Sequence, residues 1–179
     1  MLNRLKEVGK RFRAKYRRID GFQFYGQILD IPDTARVSNF LSARRYLRVA
    51  PECTIAPSNV VVIDGLKYIV AEHGTGFYVN PIYKHFKLFE VDTEAVWKKI
   101  TSKKNIITGV IEKERSEQDD VVYLSLQPKT NIDDNIKVPQ QTYISICDKE
   151  VSRNDIIDNK VVTKVDKVLG CWLIEMKEI

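Results

Sequence analysis

Asn59-Val-Val-Val-Ile-Asp-Gly-Leu-Lys-Tyr-Ile-Val70 sets two apolar runs, rich in β-branched residues, on either side of Asp64-Gly65. Both central residues of a type I′ turn need φ > 0, which Asp tolerates and Gly adopts freely, so the stretch predicts a tight β-hairpin. Pairing Ile63 with Leu66 across the turn fixes the register. Side chains alternate along a strand, so Val61, Ile63, Leu66, Tyr68 and Val70 then share one buried face, while Lys67 leaves the other partly wet. The hairpin carries no reactive group, and the chain reads as a β protein around it.

Outward from the hairpin, short extended runs continue in both directions: Phe22 to Ile31, Arg45 to Val49 and Phe86 to Val91. Asp30-Ile-Pro-Asp33 breaks the first run, and Arg36 to Arg44 reads as a long loop or a short helix. Thr93 to Lys99, with Trp97, reads as a short helix or linker. The second half echoes the first in order. Gly26-Gln-Ile28 has its echo in Gly109-Val-Ile111, Tyr46 to Pro51 in Tyr123 to Pro128, Ile63-Asp-Gly65 in Ile157-Asp-Asn159, and Leu88 to Val91 in Leu173 to Met176. We therefore expect an antiparallel β-barrel or sandwich, as two tandem small β units over 21–96 and 97–179 or as one larger body, after an N-terminal extension at 1–20.

That extension is distinct. Leu2, Leu5, Val8, Phe12 and Tyr16 follow helical spacing, and the rest of Met1 to Arg18 is basic: Arg4, Lys6, Lys10, Arg11, Arg13, Lys15, Arg17 and Arg18 against Glu7 alone. The segment holds a net +7 in a chain of +5, so the remaining 161 residues carry −2. A basic amphipathic helix on a near-neutral body can pack on its own domain, dock on a partner subunit, or touch nucleic acid or a membrane. No apolar run reaches the ~20 residues that span a bilayer, and the N-terminus has no apolar signal-peptide core. The reading is a soluble protein made in a reducing cytoplasm. Three cysteines, Cys53, Cys147 and Cys171, with no Cys-x-x-Cys pair, read as small buried hydrophobes and not as a disulfide or zinc framework.

The chemistry on offer is thin. Only His73 and His85 could supply an imidazole; alternation puts His85 with Tyr83 and Lys87 on a polar strand face. His73 precedes the glycine-rich excursion Gly74-Thr-Gly-Phe-Tyr78, which lacks the Lys of a phosphate loop and the third glycine of a dinucleotide fingerprint, and no nucleophile elbow is present. The acidic runs Glu114 to Asp120 and Asp133-Asp134 read as solvated loop tips. We expect no enzyme, no catalytic residue, no metal and no cofactor.

Ile55-Ala-Pro-Ser-Asn-Val-Val-Val-Ile-Asp-Gly-Leu-Lys-Tyr-Ile-Val-Ala-Glu72 combines small turn residues, an apolar strand, an Asp-Gly turn and a Tyr-x-Val strand, and Asp155 to Gly170 has the same character. This pattern resembles the small neck proteins of tailed bacteriophages, of the head-completion, stopper or head–tail connector type. The resemblance implies a β subunit in a homo-oligomeric ring between portal and tail, contacting portal or adaptor and tail proteins, with loops that line or seal a DNA channel. It implies location in the virion neck after synthesis in the host cytoplasm, and leaves stopper, adaptor and tail-completion roles open. On this reading the eight basic residues of 1–18 make partner or DNA contacts, and His73, Thr75, Phe77 and Tyr78 form a contact loop. The alternative is a stand-alone nucleic-acid-binding β-barrel, against which stands the shortage of Lys and Arg in the strands beyond Arg44, Arg45 and Arg48.

Overall fold

The computed structural model describes residues 16–18, 25–30, 43, 45–73, 83–104, 111–115, 119–127 and 142–179. Among them the regular structure is all strand, and every pairing is antiparallel. The chain divides into two compact units, 1–90 and 91–179.

The first unit holds β1 (Tyr16–Arg18), β2 (Tyr25–Asp30), β3 (Arg45–Val49), β4 (Val60–Ile63), β5 (Leu66–Glu72) and β6 (Lys84–Glu90), in the spatial order β1-β2-β3-β6-β5-β4. The hairpin forms as expected. Ile63 pairs with Leu66, and Asp64 and Gly65 sit at φ 54° and 80°. Val61, Ile63, Tyr68 and Val70 are buried in one core with Leu47, Val49, Ile55, Phe86 and Leu88. Leu66 departs from the expectation and is 45% exposed, although its cross-strand partner Ile63 is buried. The opposite face is drier than Lys67 suggests, since Ile69, Ala71 and Phe89 are fully buried there.

The second unit holds β7 (Thr93–Lys98), β8 (Ile100–Lys104), β9 (Ile111–Arg115), β10 (Asp120–Gln127), β11 (Thr142–Cys147), β12 (Ile156–Ile157), β13 (Lys160–Val168) and β14 (Cys171–Glu178). Strands β8 and β9 form a two-stranded ribbon, and the other six close a barrel in the order β10-β11-β14-β13-β12-β7. Its core contains Ala95, Val122, Leu124, Cys147, Ile157, Val162, Ile174 and Met176.

Three expectations are corrected. Residues 93–99 are not a helix or linker: Thr93-Glu-Ala-Val-Trp alternates, Ala95 is buried, and β7 is held on both sides by β10 and β12. The two compact units divide between residues 90 and 91. Of the helix expected over 1–18, residues 1–15 lie outside the described residues, and Tyr16–Arg18 form a strand, because their backbone completes the ladder along β2. Third, Glu114 and Arg115 end β9 and Asp120 begins β10, so the first acidic run is not wholly a loop; Asp133 and Asp134 lie outside the described residues.

The two units repeat one topology. The order β2-β3-β6-β5-β4 recurs as β10-β11-β14-β13-β12, and β7 flanks β10 as β1 flanks β2. The agreement extends to single hydrogen bonds in the turn before each hairpin. Ser58 N donates to Val70 O and Val70 N to Asn59 O at 2.8 and 2.9 Å; Asn154 N donates to Val162 O and Val162 N to Asp155 O at the same two distances. Asn59 Oδ1 accepts from Ala56 N at 3.0 Å as Asp155 Oδ2 accepts from Ser152 N at 2.8 Å, and Ser58 and Asn154 are both left-handed, at φ 70° and 77°. Of the four echoes, the Asp-Gly and Asp-Asn turns fall on equivalent hairpins, and Leu88 and Leu173 on equivalent strands, although the pairing register matches Leu88 with Met176. The Tyr46 and Tyr123 echo joins strands that are not equivalent, since β3 corresponds to β11; Gly109 lies outside the described residues.

The units differ at the seam. In the second, Asp155 is fully buried and accepts from Trp97 Nε1 at 2.8 Å and from Ile100 N at 2.9 Å, while Asp158 Oδ1 accepts from Val96 N at 2.8 Å. These bonds tie the short β12 hairpin to β7 and close the barrel. In the first unit, among the described residues, no strand pairs with the outer edge of β4.

Candidate functional site

The titratable and aromatic side chains of the first unit gather on the face of its sheet opposite the core. Strand alternation sends Leu47 and Val49 into the core and Tyr46 and Arg48 the other way. The same alternation on β6 buries Phe86 and Leu88 and turns out His85 and Lys87. The register then pairs Arg48 directly with His85, and Tyr46 with Lys87. His73, just past the end of β5, brings its ring to 4.8 Å from Tyr46 and 6.0 Å from His85, centroid to centroid. The Arg48 guanidinium carbon lies 5.7 Å from the Tyr83 ring centroid, Nη1 makes a long 3.4 Å bond to Gln27 Oε1, and the buried Nε has no partner among the described residues. Tyr46, Arg48, His73, Tyr83 and His85 are all half-buried.

The electrostatics follow from that crowding. Burial is the largest influence on His85 and pushes its pKa below the ordinary 6.5, and the neighbouring charges of Arg48 and His73 push it further the same way. The cluster therefore offers one fixed cation, Arg48, beside a His85 imidazole whose charged form burial and its neighbours disfavour. Among the described residues it contains no Ser, Thr or Cys positioned as a nucleophile.

Of the residues expected to form a contact loop, His73 belongs to this cluster, whereas Thr75, Phe77 and Tyr78 lie outside the described residues. Arg4, Lys6, Lys10, Arg11, Arg13 and Lys15 also lie outside them, and Arg17 and Arg18 are placed by backbone alone in β1. Among the described residues no three His, Cys, Asp or Glu side chains converge as metal ligands, and no helix is long and apolar enough to cross a membrane. The three cysteines are free and buried. Burial pushes the Cys147 thiol up to about 12, which makes it inert as a nucleophile at neutral pH.

Two features emerge only from the fold. Local sequence marks Arg48 simply as one of the strand cations with Arg44 and Arg45, and its pairing with His85 is set by the register of β3 with β6. On the second unit, Val96 and Val121 form an exposed cross-strand pair on the barrel exterior, 41% and 44% accessible, beside a shallow depression lined by Lys98, Asp119, Ile156 and Ile179. No protein family, curated protein or solved structure matches this chain.

Proposed function

We propose that this chain is a structural subunit of a tailed-phage neck, a member of a homo-oligomeric ring between portal and tail that joins head to tail and helps retain or conduct DNA. It works by assembling and not by catalysis. The observation that carries the reading is the outer edge of β4. Asn59 O accepts from Val70 N, so Asn59, Val61 and Ile63 direct their backbone toward β5, while Val60 and Val62 direct theirs outward. Val60-Val-Val-Ile63 has no charge, proline or bulge to block pairing, and such an edge is a template for a strand of another chain. In the second unit the equivalent edge is covered by β7. The exposed Val96 and Val121 pair adds apolar surface of the kind used in subunit contacts. Rings need heterologous interfaces, and a chain that carries one fold twice, once closed and once with an edge that no strand pairs among the described residues, supplies unlike surfaces for them.

Val62→Pro tests the edge. It removes an outward N–H and leaves the ladder to β5 intact, a substitution that edge strands accept. The expected result is a folded protein whose self-association weakens by about tenfold or more, the loss expected for interfacial hydrogen bonds left unpaired. Unchanged association by Val62→Pro would remove β4 from the interface.

A further inference from the structure

We propose that the tip of the β4–β5 hairpin, with Leu66 as its knob, docks on the Val96 and Val121 patch of a second copy of this chain. The proposal rests on the assembly reading above and names the surface that the hairpin meets. Its first support is the internal repeat. Val60 pairs with Ile69 and Ile156 with Val161, and the matching backbone bonds of Val70 and Val162 make these pairs equivalent. Between Val61 and Tyr68 the first unit then has residues 62–67, where between Ile157 and Lys160 the second has only Asp158 and Asn159. The second hairpin is complete with that turn, whose two residues sit at φ 44° and 59°. The longer tip is therefore not a requirement of the fold, and it carries the exposed Leu66 at its end.

The second unit offers the complementary hollow. Val96 and Val121 pair across β7 and β10, and both are exposed. Alternation sets Lys98 on the same outer face as Val96, and the pairing of Lys98 with Ile156 brings Ile156 to that face as well. The exposed Ile179 and the short turn Asp158-Asn159 complete an open depression of about 750 Å³, room for a turn of several residues. Lys98 pairs with Asp119 at 3.9 Å and Asp158 Oδ1 accepts from Val96 N at 2.8 Å. The charged rim is thus matched within the unit, and the apolar floor is what a partner gains by covering it. Leu66 and this floor are both exposed within one chain, so the contact joins two copies. A knob and a hollow on different parts of one molecule make a head-to-tail contact, the heterologous interface that a ring requires. Docking the tip also carries the outer edge of β4 to the neighbour, because Val60 and Val62 belong to the same hairpin.

The test begins with self-association of the full chain, followed by light scattering. Leu66→Ser and Val121→Ser replace exposed residues and leave both cores untouched. Each should weaken self-association about tenfold or more, as removal of an apolar contact side chain does. A cross-linking arm identifies the partners. One chain carries Leu66→Cys and another Val121→Cys, while the native Cys53, Cys147 and Cys171 are buried. Oxidation of the mixture with copper–phenanthroline in air should give an intermolecular disulfide between positions 66 and 121, identified by peptide mass spectrometry, and either variant alone should give little. If the chain self-associates but the mixture forms no such link, or folded Leu66→Ser associates as the unaltered chain does, this contact is overturned while assembly stands. A chain that is monomeric at every concentration overturns both.

Discussion

At the scale of single residues, the turn chemistry divides into what local sequence dictates and what only the fold reveals. Gly65 is in the left-handed region at φ 80° with open space where a Cβ would lie, so the cost of Gly65→Ala is conformational alone, about 1 kcal/mol, measurable by denaturant unfolding. That position was legible from Asp64-Gly65. Asp155 was not. It looks like one more acid in a polar stretch, yet it is fully buried and accepts from Trp97 Nε1, Ile100 N and Ser152 N. Asp155→Ala strands three donors and should cost about 3 kcal/mol or more, with a change in Trp97 fluorescence. Asp155→Asn, the residue the first unit has at this place, keeps the Ser152 bond and should cost less. His85 gives a pH prediction. Its folded pKa lies below the ordinary 6.5, so the unfolded chain binds the proton more readily. The contribution to stability is complete above that ordinary value and is lost as pH falls through the folded one. Thermal melts should therefore drop on acidification from about pH 7.5 to about 5.5, and His85→Gln should flatten that slope.

At the scale of elements, strands with strong apolar alternation were legible and those held by distant partners were not. The β3, β4, β5 and β6 runs stand out because each carries its own buried alternation, such as Val61 with Ile63 and Leu47 with Val49. Thr93–Lys98 was misread because its Thr, Glu, Ala and Lys carry little strand preference, and only barrel closure with β10 and β12 decides its state. Register explains the misplaced echo as well. Tyr46 and Tyr123 share a local pattern, but topology sets β3 against β11, where the equivalent residues are chemically unlike. The His73, His85 and Arg48 cluster was illegible for the same reason: Arg48 and His85 sit on two strands far apart in sequence and His73 just past the end of a third, so it exists only once cross-strand pairing is known.

At the scale of the whole molecule, the mainly antiparallel β architecture was legible from hairpin signals, whereas barrel closure and the outer edge of β4, unpaired among the described residues, required the structure. The proposed neck role requires that the chain assemble. The direct test is its mass in solution by light scattering across a range of concentrations and salt, for the full chain and for a chain lacking residues 1–15, a cut that spares β1. A neck subunit should form a concentration-dependent oligomer of the 20.7 kDa chain that weakens when the basic segment is removed. A 20.7 kDa monomer at every concentration and salt, with or without that segment, would contradict it.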